Sequence, residues 1–248
     1  MNKYRQRQGN LYQPGESKPF AISRSKIDLF LECPRCFYLD RRLGLGRPSL
    51  PGFALNSAVD ALLKNEFDLL RKSSQAHELM KKYEIDAVPF NHPSLATWRN
   101  NFVGQQHLNQ NTNLLIFGAV DDIWLNKREE LLIVDYKSTS TSNKISLDDE
   151  YRQGYKKQME VYQWLFRKEG FPVNDTGYFV YANANKSRPK FEARLDFEMQ
   201  IIAYRGDDSW VEPTIEAIKK CLDSNQIPEA GPECEYCEYR KLNRGEEG

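Results

Sequence analysis

The strongest hydrophobic pattern in the chain runs from Leu114 to Lys137. Leu114 to Trp124 is an apolar run interrupted by two adjacent acids, and Asn126 to Glu130 is a polar turn. Leu131 to Val134 is a short β-rich run that ends on Asp135. Two such runs around a charged turn predict a β-hairpin in a half-buried sheet. Side chains alternate between the two faces of a strand, so Asp135 and Lys137 should share one face, with Asp121 on the neighbouring strand. Upstream, Ile27, Phe30 and Leu31 give an apolar face to a helix that either Ser23 or Ser25 can cap. Residues 55–67 read as a second helix, striped by Val59, Leu62, Leu63 and Phe67. Downstream, Leu147 to Lys168 predicts a helix with Tyr155, Met159, Tyr162, Leu165 and Phe166 along its stripe, stopped by Gly170. Gln158 and Tyr162 are four residues apart and so lie on one face of it. Thr176 to Ala182 is a strong β run, residues 191–204 supply a further strand or two near the sheet edge, and 208–222 read as a last helix. Residues 73–112 are polar and weakly patterned, and are expected to form an insertion of short helices and loops. Residues 1–19 are expected to be a flexible tail or a strap.

Composition adds bounds. The chain has 248 residues, the size of one large domain. Lys+Arg and Asp+Glu both number 35, so net charge neither requires nor excludes nucleic acid; a basic groove beside an acidic metal site cancels in the sum. No apolar run approaches the roughly 20 residues needed to span a bilayer. The N-terminal stretch has no apolar core of the signal-peptide kind, which sets the expectation of a cytoplasmic protein. There is no internal repeat, no phosphate-binding Gly-rich loop and no helicase motif, so an ATP-driven motor would have to be another protein.

The candidate chemistry sits in two places. The first is the hairpin. Two carboxylates, Asp121 and Asp135, can hold one or two hard cations such as Mg²⁺, which stabilise charge on a phosphodiester and lower the pKa of a bound water. Lys137 can orient that water or neutralise the developing charge. The second is the cysteines. Of five, four form C-x-x-C pairs, Cys33/Cys36 and Cys234/Cys237. In a reducing compartment that spacing reads as a metal or cluster site rather than a disulfide framework, the alternative being two unrelated buried pairs. Cys221 reads as a small buried residue. Arg41, Arg42 and Arg47 are either a solvated basic face or a DNA-facing one. Trp98 should pack, while Arg99 is a candidate substrate contact. None of the three histidines has ligand-like spacing.

G-x-x-D at 118–121 followed by I-V-D-Y-K at 133–137 resembles the core of the PD-(D/E)XK nucleases. Q-M-E-V-Y at 158–162 is similar to the Q-x-x-x-Y element of their RecB-type branch, which includes nuclease domains of recombination helicases and CRISPR-adaptation exonucleases. The resemblance implies an α/β fold, a small mixed sheet flanked by helices, in a single domain over 20–240 whose termini are joined by the four-cysteine site, with 234–237 as its C-terminal cysteine segment. It implies Mg²⁺ or Mn²⁺ at Asp121 and Asp135, Lys137 acting on water, and Gln158 and Tyr162 positioning substrate. In that branch a histidine ligand follows a glycine by four residues. Here that position is Asn56, a weaker oxygen donor, with Asp60 one turn later as a substitute; the alternative is that Asn56 is only the helix cap and the site has lost a ligand. The family cysteine site is a 4Fe–4S cluster held by one plus three ligands. Two plus two here leaves Zn²⁺ open.

The function so implied is metal-dependent DNA cleavage, as an exonuclease on single strands or ends, in DNA repair or CRISPR-type processing, with protein partners from such a complex and no membrane. A rival reading is a catalytically inactive nucleic-acid-binding module of the same fold, stabilised by a Zn or Fe–S site. A third is a zinc-stapled interaction subunit that binds no DNA.

Overall fold

The computed structural model describes residues 6–48, 52–149 and 152–246. The architecture is α/β, with two sheets flanked by helices. The chain divides into two compact units, one built from residues 52–107 and 118–208, the other from residues up to 51, 108–117 and 209 onward. Among the described residues no helix is long and apolar enough to cross a membrane.

The first unit holds a five-stranded sheet of order β2-β5-β6-β7-β8. The strands are β2 (Ala87–Pro89), β5 (Asp122–Asn126), β6 (Leu131–Thr139), β7 (Thr176–Ala184) and β8 (Phe197–Arg205). The predicted hairpin forms as β5 and β6, antiparallel, with Asp122 opposite Val134 and Leu125 opposite Leu131. Asn126 closes the turn: its side-chain oxygen accepts the backbone N–H groups of Arg128 and Glu130, both at 2.9 Å. Leu131 to Tyr136 are all buried, so β6 is a central strand covered on both faces rather than a half-buried one. Helix α3 (Ala54–Lys72) packs against β6, and α6 (Gln153–Lys168) makes the crossover to β7, which runs parallel to β6. Gly177 lets that crossover helix approach. A Cβ there would lie 2.4 Å from Met159 Sδ and 2.9 Å from the Ile133 carbonyl. The core on the α3 side stacks Phe67 on Trp124 at 5.5 Å and Trp124 on Tyr178 at 5.6 Å, with Met80, Val134, Val180 and Ile201 around them.

The structure departs from the pattern reading at several points. The run Leu114–Trp124 is two strands, not one. β4 (Leu114–Gly118) pairs with β1 (Phe20–Ser23) in the other sheet, and the chain breaks at 119–121 before β5. There the Val120 N–H bonds to the Trp98 carbonyl at 3.1 Å instead of a strand partner. Asp121 therefore lies in the bend before β5 rather than on a strand. Residues 73–112 contain the short helices α4 (Glu78–Lys82) and α5 (Leu95–Trp98), but also β2 and β3 (Gln105–Asn109), which complete the two sheets. Leu62, expected on the inner stripe of α3, is 67% exposed. The crossover helix begins at Gln153, six residues later than predicted from Leu147.

The second unit holds β1 and β4, paired in parallel. Helices α1 (Arg24–Glu32), α2 (Pro34–Arg41), α7 (Val211–Asp223) and α8 (Glu235–Glu246) complete it. Ile215, Ile218 and Leu222 form the wholly buried stripe of α7. The described residues before β1, from Gln6 on, are tied down as a strap. The Tyr12 N–H bonds to the Arg41 carbonyl at 2.9 Å, and the Tyr12 hydroxyl donates to Asp223 at 2.5 Å. Arg41 belongs to neither arginine face considered from sequence: it is buried, 4.8 Å over the Phe20 ring, and donates to the Ala21 carbonyl at 3.2 Å.

Candidate active site and thiol site

A cavity of about 280 Å³ opens in the first unit, lined by Asn56, Asp60, Asp121, Lys137 and Tyr155 among others. α3 supplies one wall. Asn56, Asp60 and Lys64 recur at four-residue spacing, so they stand in a row along one helical face. Asn56 is inside the helix, whose N-cap is Phe53, so it is not the cap. The Lys64 ammonium donates to Asp60 Oδ2 at 2.8 Å and to Asp121 Oδ1 at 3.1 Å. Burial works against that ammonium, but Asp121 and Asp60 outweigh it and raise its pKa above the usual lysine value. The other Asp121 oxygen accepts the Tyr136 N–H at 2.9 Å, which pins the carboxylate to the edge of β6.

β6 supplies the other wall. Asp135 and Lys137 share a strand face, as alternation requires, and form an ion pair. Asp135 is fully buried and is not among the residues lining the cavity. The Lys137 ammonium lies 4.5 Å from the centre of the Tyr155 ring and 3.4 Å from Gln158 Oε1, to which it donates. Gln158 in turn donates to the Tyr162 hydroxyl at 3.0 Å. Lys137, Gln158 and Tyr162 thus form one chain of hydrogen bonds between strand and helix.

Sequence reasoning weighed Asp121 and passed over its neighbour. Asp122 is fully buried and accepts from Arg71, from Arg99 at 3.0 Å, from the Tyr136 hydroxyl at 2.7 Å and from the Ile123 N–H at 2.8 Å. Arg99, proposed from sequence to touch substrate, is instead committed to this network and donates to the Asp121 carbonyl at 2.8 Å. Burial and Asp122 together push the Tyr136 hydroxyl well above its ordinary pKa. Lys64 was also missed, although its i,i+4 spacing from Asp60 was visible. Trp98 packs, as expected, stacked on His92 at 4.3 Å.

The second site brings all four predicted cysteines together in the other unit. Cys33 sits between α1 and α2 and caps α2, its sulfur accepting the Cys36 N–H at 3.4 Å, with Pro34 opening the helix. Cys234 immediately precedes α8 and Cys237 lies within it. The four Sγ atoms lie within 4.8 Å of one another. Measured separations are 3.8 Å for Cys33–Cys237, 3.6 Å for Cys36–Cys234 and 3.6 Å for Cys36–Cys237. Burial pushes the Cys33 thiol up, but the N–H groups of Gly231 and Cys36 and the neighbouring thiols outweigh it and hold its pKa at about 7. Arg47 donates to Cys234 Sγ at 3.2 Å and lies over the Tyr236 ring. It serves the thiols rather than a basic face. Cys221 is outside the quartet, and burial raises its pKa to about 11.

With this geometry in hand, comparison with known proteins defines the class. The chain belongs to the PD-(D/E)XK nuclease superfamily, whose sequence profile matches residues 21–242. Nucleases of this superfamily use divalent metals. No curated protein sequence matches the chain. The fold is similar to the crystal structure of SSO0001 at 17% identity, covering 93% of this chain and 87% of that one with a TM-score of 0.38. That likeness is too slight to bear on function.

Proposed function

We propose that the protein is a divalent-metal-dependent deoxyribonuclease of the RecB-type branch, hydrolysing phosphodiester bonds as an exonuclease on DNA single strands or ends. The observation that carries this reading is the cavity where Asp121 and Asp60 share one ammonium beside Lys137. A position that two carboxylates already fill with a cation suits a hard metal ion. Asp121, Asp60 and the Asn56 amide are the oxygen donors that would hold Mg²⁺ or Mn²⁺, with Asp135 behind Lys137. The ion, when bound, supplies charge neutralisation at the phosphate and a more acidic water. The chain's own contribution is positional. Asp135 and Gln158 fix the Lys137 ammonium at the cavity wall, where it can meet a phosphate oxygen, and Tyr162 anchors Gln158. The RecB-type resemblance carries the setting, DNA repair or CRISPR-type processing alongside partner proteins.

The test is cleavage of labelled single- and double-stranded DNA with Mg²⁺, Mn²⁺ or EDTA, run beside Asp135→Ala and Lys137→Ala. Divalent-dependent cutting lost in both variants supports the reading. DNA binding without cutting under any metal refutes it in favour of a non-catalytic binding module. One observation favours that second reading: Asn56 stands where the resemblance expects histidine.

A further inference from the structure

The branch resembled here implies a 4Fe–4S cluster at the four cysteines, and the sulfur spacing tests that. One tetrahedral ion with metal–sulfur bonds of about 2.3 Å holds its four sulfurs about 3.8 Å apart. In a cubane cluster each thiolate binds a different iron at a different corner, and the inorganic core stands between them, so the sulfurs sit roughly 6 Å apart. The separations of 3.6, 3.6 and 3.8 Å match the single ion, and no pair in the quartet exceeds 4.8 Å. Cys33, Cys36 and Cys234 are buried, so widening the quartet to the separations of a cluster means moving the segments that carry them.

The surroundings agree. Two C-x-x-C pairs divide the ligands evenly, and each pair brackets the start of a helix. Cys33 Sγ accepts N–H groups from Cys36 at 3.4 Å and Gly231 at 3.3 Å, and Cys234 Sγ accepts from Arg47. Such donors offset the double negative charge of four thiolates on one divalent ion. Gly231 is required for this approach: a Cβ there would lie 2.1 Å from the Glu32 carbonyl oxygen.

We infer that Cys33, Cys36, Cys234 and Cys237 form a mononuclear tetrahedral site for Zn²⁺, not a 4Fe–4S cluster, and that the ion joins the first and last segments of the unit they share. The inference does not rest on the nuclease reading, because metal content is measured without any cleavage assay. The full chain would be purified anaerobically from cells supplied with both iron and zinc, then assayed for metals, acid-labile sulfide and visible absorbance. The expected result is about one zinc per chain, no sulfide and no colour. Replacement by Co²⁺ should give the intense visible bands of tetrahedral thiolate coordination. Cys36→Ser should weaken Co²⁺ binding at least tenfold and shift those bands, and Arg47→Gln, which leaves all four sulfurs, should retain the metal. About four irons with matching sulfide and a broad brown absorbance would overturn the inference. So would a metal-free chain whose four thiols react freely with a thiol reagent.

Discussion

Asp121 and Asp122 are adjacent acids whose surroundings assign them opposite jobs, and substituting each in turn separates the two. Asp122 is fully buried against Arg71, whose side chain is 5% exposed, and Arg99, at 13%. Removing its carboxylate in Asp122→Ala leaves two guanidinium groups inside the unit. Their other anion is Asp68, which is 39% exposed and already bound to both. The Tyr136 hydroxyl and the Ile123 N–H lose their acceptor as well. Breaking a buried pair from one side costs about 3–5 kcal/mol, because the remaining charge is left uncompensated. For a chain of this size that corresponds to a fall in Tm of about 6–20 °C. Asp121→Asn differs: the carboxylate is 24% exposed, and an amide oxygen can still accept the Tyr136 N–H. Its stability should stay within about 1 kcal/mol of wild type, while divalent-dependent cleavage is lost. The assay is urea and thermal unfolding in EDTA, followed by circular dichroism and tryptophan fluorescence. Asp122→Ala melting within two or three degrees of wild type, or Asp121→Asn melting as low as Asp122→Ala, would refute the division of labour.

Lys64→Met removes the ammonium that competes with a metal ion for Asp60 and Asp121. If that pairing contributes up to about 1 kcal/mol, the Kd for Mn²⁺ by calorimetry should fall about fivefold, and unchanged or weaker binding would count against a metal at these carboxylates. Gln158→Ala frees the Lys137 ammonium from its helix-side acceptor, so kcat should drop by up to about 100-fold with KM little changed; an unaltered kcat would remove Gln158 from the positioning chain. Asp68 supplies a pH test. Burial acts to raise its pKa, but Arg99 and Arg71 outweigh it, so the folded value lies below the usual aspartate range. A depressed folded value contributes stability above the unfolded pKa, about 3.9, that is lost as pH falls through the folded one. The stability gap between wild type and Asp68→Asn should therefore be present at neutral pH and close below about pH 4. A gap that persists unchanged in acid would show that charge is not its origin.

Several features were legible in the sequence because they depend on local spacing. Period-2 alternation put Asp135 and Lys137 on one face of a strand, and the four-residue step put Gln158 and Tyr162 on one face of a helix. Asn126 marked the hairpin turn, and two C-x-x-C pairs announced a thiol site. Each rests on geometry repeated every few residues, which a short window contains. Other features depended on segments that meet only in the fold. Arg71 and Asp122 are 51 positions apart, so nothing local distinguished the buried acid from its cavity-facing neighbour. The break at Ala119 was hidden in a continuous apolar run, because the Trp98 carbonyl that takes the Val120 N–H comes from the end of α5, more than twenty positions earlier. β2 and β3 were concealed in a polar stretch, since short strands completing a sheet need little hydrophobic pattern of their own. The cysteine spacing named a metal site but not its occupant. That choice rests on distances between sulfurs some 200 residues apart, 198 for Cys36 and Cys234 and 201 for Cys36 and Cys237. Only the tertiary structure sets those distances, because only packing brings the two ends of the unit to the separation a single ion requires.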